Sequence, residues 1–147
     1  MRMADSLPFP CSAKNELDGL IYFPRMLDKI RLHLDDKLHA DYQDNLGKAL
    51  DLAACQLLAV DYLDLAEKVL EGATDSEVLE WAYETGKKPE VHEKAWWCSY
   101  VRNLGFRDHL AERLATRIAE AGLQDREHLF SFIDFMDAEE GHDIKSA

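Results

Sequence analysis

The sequence predicts an all-α fold, a single compact domain of about seven short helices, and three observations carry that prediction. Glycines at positions 72, 86, 105, 122 and 141 each follow a stretch with helical periodicity, where a left-handed C-terminal cap residue belongs. Pro24 and Pro89 stand where helices would begin. No alternating segment of strand length and strand composition competes with the helical pattern.

The first 18 residues, with two prolines, read as a loosely held tail, leaving 19–147 as the domain. The first helix is expected over 24–38, with Met26, Leu27, Ile30, Leu34 and Leu38 on one buried arc. A second, over 46–59, spaces Leu50, Ala53, Ala54, Leu57 and Leu58 helically. Asp61 is a good N-cap for the third, and Val60 with Leu65 has the spacing of a hydrophobic staple. In "TDSE", Thr74 and Glu77 form a capping box that opens a fourth helix carrying Val78, Leu79 and Trp81 and closing at Gly86. Pro89 introduces a fifth through "AWWCSYVRNL". A sixth, over 106–121, aligns Phe106, Leu110, Leu114, Ile118 and Ala121, and Asp125 caps a seventh.

A chain of 147 residues is sized for one core. No apolar run approaches the ~20 residues of a membrane span, and "MRMADSLPFPCSAKNELDG" lacks the apolar segment and cleavage site of a secretory signal, so the cytoplasm is the expected compartment. Cys11, Cys55 and Cys98 are widely spaced without a CxxC pair and read as reduced thiols. The net charge of −12 is concentrated in residues 41–86, where eleven Asp or Glu face two Lys; residues 1–40 hold six of each sign. Such a field repels phosphate backbones and anionic membrane surfaces, so neither nucleic acid nor membrane is an expected partner. A basic partner is electrostatically easier.

The stretch "YFPRMLDKIRLHL" places Arg25 and Lys29 one turn apart at the positive end of a helix. With Pro24 at its first position, the cap falls on Phe23, which has no side-chain acceptor for the free amides. A phosphate, a carboxylate ligand or a carboxylate side chain from another helix would relieve that arrangement. On the same face lie Asp28 and Leu32, opposite the apolar arc, and a leucine amid charge suggests a covered surface. Asp137, at the border of the apolar stripe of "HLFSFIDFMDAEEGHD", is a second candidate proton carrier; Asp134 is its alternative.

Other features are weaker. Glu139 and His142 have the ExxH spacing of di-iron bundles, but the paired second motif is missing, so no metal is expected. The absence of GxSxG, P-loop and GxGxxG patterns leaves cofactor-dependent readings without a motif, and no cofactor is expected. Trp96 and Tyr100, with His92 a turn earlier, form an aromatic ridge beside the Trp97, Val101 and Leu104 core stripe. His109, Arg113 and Arg117 line up as a basic stripe whose ordinary explanation is solvation.

At "GLIYFPRMLDKIR", followed by "ATDSEVLEWA" and "DFMDAEEGHD", the chain resembles the bacterial domain-of-unknown-function family numbered 5069, over about 19–143. The first motif, with Pro24, Arg25, Asp28, Lys29 and Arg31 in fixed register, is the most specific. The link "DDKLHADYQDNLGKALD" departs from the early glycine and tyrosine-asparagine pattern associated with many relatives. The resemblance implies a small helical domain and carries no established activity.

Three functional expectations result. In the first, Arg25 and Lys29 bind a small anionic metabolite at the start of the first helix, walled by Tyr22 and Trp81. The second is a cofactor-free isomerase or lyase in which Arg25 orients the substrate, Lys29 polarises it and Asp28 or Asp137 moves a proton. The third is a protein-interaction module using the Trp96 and Tyr100 ridge, with Leu32 at a homodimer contact.

Overall fold

The computed structural model describes residues 7–142. A two-residue hairpin, β1 (Glu16–Leu17) and β2 (Leu20–Ile21), is followed by α1 (Phe23–Leu34), α2 (Ala40–Gln43), α3 (Leu50–Leu58), α4 (Tyr62–Leu70), α5 (Asp75–Thr85), α6 (Val91–Asn103), α7 (Ala111–Glu120) and α8 (Phe132–Glu140). The fold is therefore all-α, with eight helices among the described residues where about seven were expected on periodicity. The hairpin turns through Asp18 and Gly19, both at positive φ, the geometry that an Asp-Gly pair favours.

One core joins the elements. Phe23, Met26, Leu27 and Ile30 of α1 are buried and pack chiefly against α4, which contributes Leu65 and Val69. Full burial of side chains of this size stabilises by roughly 1.5–3 kcal/mol each. Trp97 of α6 donates its indole N–H to the Ile21 carbonyl at 2.8 Å, fastening α6 to β2. No helix among the described residues is long and apolar enough to cross a membrane.

Where helix ends depart from expectation, side-chain carboxylates or backbone turns are responsible. α1 stops at Leu34, because Asp36 enters the left-handed region and Lys37 N–H returns to the Leu32 carbonyl at 2.8 Å, closing a Schellman turn. Leu34, expected in the core, is exposed, whereas Leu38 is buried from the following loop. α3 begins at Leu50, not at 46, since the Asp51 carboxylate takes the Gly47 N–H at 3.0 Å and Ala49 is held at φ 52°, ψ −121°. α7 begins at Ala111 instead of 106, because Asp108 accepts from the Gly105 and Leu110 amides and competes with the helix. Of its expected apolar face, Leu114 is buried and Phe106 is exposed. α8 is capped by Ser131 and not entered from Asp125; Ser131 accepts the Asp134 amide, and Phe132 N–H binds the Leu104 carbonyl at 2.7 Å.

Asp61 caps α4 and the Thr74–Glu77 box opens α5. Gly86 follows α5 at φ −109°, outside the left-handed region that was expected for it. Its role is close approach: a Cβ there would collide with the Leu58 carbonyl oxygen, where α3 and α5 end together. Of the expected tail, residues 1–6 lie outside the described residues, as do 143–147. Ala13 is fully buried.

Candidate functional site

Arg25 and Lys29 point inward, each onto a carboxylate from a distant helix. Arg25 makes a two-pronged pair with Glu140 at the end of α8, both N–O distances being 2.7 Å. Its guanidinium also donates to the Cys11 carbonyl at 3.1 Å and lies 5.9 Å from the centre of the Tyr42 ring. Tyr42 donates its hydroxyl to Glu140 at 2.9 Å, and His142 Nε2 lies 3.1 Å from the other Glu140 oxygen and 2.9 Å from the Pro10 carbonyl. Burial works against the charged form of Arg25, but the hydrogen bonds and charge of Glu140 outweigh it and raise its pKa.

Lys29 is held by Asp51 at 2.8 Å and donates to the Tyr22 hydroxyl at 2.8 Å, which in turn donates to Asp51 at 2.5 Å. Burial lowers the Lys29 pKa, with Asp51 opposing, and burial beside Asp51 pushes the Tyr22 phenol well up. The backbone bends to make this cluster. Tyr22 sits at φ 74°, an uncommon conformation for a bulky residue, and Ala49, two residues before Asp51, is the other strained position at its edge. Tyr22 N–H bonds to the Asn15 carbonyl and its own carbonyl receives Met26 N–H, which hold the turn.

The negative groups that Arg25 and Lys29 required are thus side chains of α8 and α3. The remaining predicted site residues lie around them with other partners. Asp28 accepts the Cys11 amide at 2.9 Å, and Asp137 accepts the Ser12 hydroxyl at 2.7 Å and lies 3.6 Å from Lys14. Both carboxylates therefore anchor the segment before the hairpin. Tyr22 belongs to the Lys29 cluster, whereas Trp81 is a half-buried member of the core, outside the contacts that hold Arg25 and Lys29. Asp134 pairs with Lys14 and accepts the Phe130 amide. Among the described residues, no group of three or more His, Cys, Asp or Glu is arranged to hold a metal ion. Cys11, Cys55 and Cys98 are free thiols.

Sequence reasoning missed Glu140, Tyr42 and Asp51. A signal for two of them existed: Glu140 stands four and seven residues beyond Met136 and Ile133, and Asp51 stands four and seven before Cys55 and Leu58. Each is a carboxylate on the buried stripe of its helix, which demands a buried cation.

The aromatic ridge is arranged differently. Trp96 is 66% exposed and Tyr100 49%, and with Trp97, Ala53, Gln56, Leu57 and Glu93 they line an open groove of about 410 Å3 between α3 and α6. His92 packs edge-on against Trp96 at 4.8 Å and restrains it. Leu52, 46% exposed, lies one turn before Gln56 and extends the apolar margin. The gap deeper in the core, about 10 Å3 beside Phe23 and Leu58, has no room for a ligand.

Fold and site define a small acidic helical domain with an ion-paired interior and one open aromatic groove. The chain belongs to the family described as Domain of unknown function (DUF5069), whose model matches residues 7–142 and thus begins before the hairpin. No curated protein matches the sequence.

Proposed function

We propose that this protein is an interaction module whose α3–α6 groove receives a basic amphipathic helix of another protein. The exposure of Trp96 on a groove wall is the observation that carries this reading, because tryptophan and tyrosine dominate the energetic centres of interfaces. Charge selects the occupant. The acidic residue lining the groove, Glu93, is paired with Lys87, so the attraction for lysines flanking an apolar stripe comes from the net charge of −12 as a whole. A second copy, itself at −12, is repelled. The metabolite and enzyme readings both require donors on Arg25 and Lys29, which are paired with Glu140 and Asp51, so either reading needs one of those carboxylates displaced first.

A synthetic peptide with leucines and lysines at helical spacing tests the reading, with an otherwise identical leucine–glutamate peptide beside it. Titration followed by calorimetry should saturate with the basic peptide alone, and Trp96→Ala should weaken it by roughly thirtyfold, the about 2 kcal/mol of an interface anchor. Equal affinity for the two peptides, or for the Trp96→Ala protein, overturns the proposal. Sedimentation showing a dimer that Trp96→Ala dissolves would instead make a second copy the occupant.

A further inference from the structure

We propose that Arg25 and Tyr42 form a carboxylate-binding cage in which Glu140 is a tethered occupant, exchangeable for a free small monocarboxylate when the last turn of α8 opens. This site is independent of the groove.

The cage presents what a carboxylate ligand requires. One Glu140 oxygen faces Arg25 Nη1 at 2.7 Å and His142 Nε2 at 3.1 Å; the other faces Arg25 Nη2 at 2.7 Å and the Tyr42 hydroxyl at 2.9 Å. Planar, two-pronged recognition of this kind is the strongest that arginine offers. The donors are also held by groups other than Glu140. Arg25 is fixed by the Cys11 carbonyl and the Tyr42 ring, so these two donors keep their places when the occupant leaves, whereas His142, two residues after Glu140, moves with the opening turn. Arg25 lies at its floor, while Tyr42 is half-buried at its mouth.

Position distinguishes Glu140 from Asp51. Asp51 is wholly buried in the first turn of α3 and is held by Lys29, Tyr22 and the Gly47 amide. Glu140 is the last residue of α8, followed by Gly141 in the left-handed cap, so releasing it requires the opening of one terminal turn. Once Glu140 has left, the adjoining Arg25, Lys29 and Asp51 carry a net positive charge, and an incoming carboxylate restores neutrality.

The test uses Glu140→Ala, thermally unfolded in formate, acetate or propionate and in chloride at equal ionic strength. The midpoint lost by the substitution should return saturably with carboxylate and not with chloride, and Tyr42→Phe in the same protein should raise the concentration required. In the unaltered protein, acetate should speed hydrogen exchange at the amides of residues 138–141, again saturably. A midpoint that rises equally in both salts overturns the proposal, as does rescue of Glu140→Ala without any acetate effect on exchange in the unaltered protein. Should Glu140→Ala not fold, Glu140→Gln keeps the volume without the charge; acetate must then raise its midpoint above that in chloride, and equal midpoints contradict the cage.

Discussion

The interior around α1 and the groove between α3 and α6 solve opposite problems. At α1, two cations are 2% and 5% exposed and each meets a carboxylate within the chain. In the groove, large aromatic side chains that could have been buried face outward, with the edge of the His92 ring against Trp96 and much of the indole open. Buried ion pairs of this sort contribute little net stability but are costly to break, whereas exposed aromatics contribute little to folding and much to association. The contrast teaches that charge density in a sequence is a poor guide to where a partner binds when the charges are paired inside.

The sharpest way to break that contrast is at the interior. Arg25→Met leaves the Glu140 carboxylate buried without its partner and should cost about 3–5 kcal/mol in urea unfolding. Adding Glu140→Leu should recover most of that loss, since removing both charges removes the unpaired one. Lys29→Met should cost less, about 3 kcal/mol, because it removes one contact from Asp51 where Arg25→Met removes two from Glu140. Gly86→Ala, which forces the Leu58 carbonyl to move, should cost about 1–3 kcal/mol by the same assay.

Alkaline pH provides a smaller, graded effect. Burial, with Asp28 beside it, pushes the Cys11 thiol up to about 11; burial, with Asp51 near, pushes Cys55 up to about 12. Both folded values lie above the ordinary 9.0, so the folded protein holds these protons longer than the unfolded chain. Their stabilisation is complete below pH 9 and is lost as pH rises through 11 and 12, which midpoints measured from pH 8 upward should show as a steepening decline. Trp96→Ala should change stability least, within about 0.5 kcal/mol, while abolishing most peptide affinity.

Local chemistry was legible. Asp61 and the Thr74–Glu77 box start helices as their spacing requires, and Gly141 stops one in the left-handed region. Boundaries failed where a nearby carboxylate took a backbone amide, as at Asp51 and Asp108, because periodicity carries no information about that competition. The need for negative charge at Arg25 was legible too, but its source was not. Glu140 is 115 residues away, one of 29 acidic residues, and pairing across that distance depends on packing that no local pattern encodes. The face holding Arg25 and Lys29 was placed opposite the buried arc, yet the first half of α1 is buried nearly all round.

Amide chemical shifts of isotopically labelled protein, followed during titration with the leucine–lysine peptide, test the division between the two regions most directly. Shifts should be confined to residues 52–57 and 92–100, with the amides of Arg25, Lys29 and Glu140 unmoved at saturation. Shifts centred on α1 and α8, or none anywhere at peptide concentrations in large excess, would contradict that division.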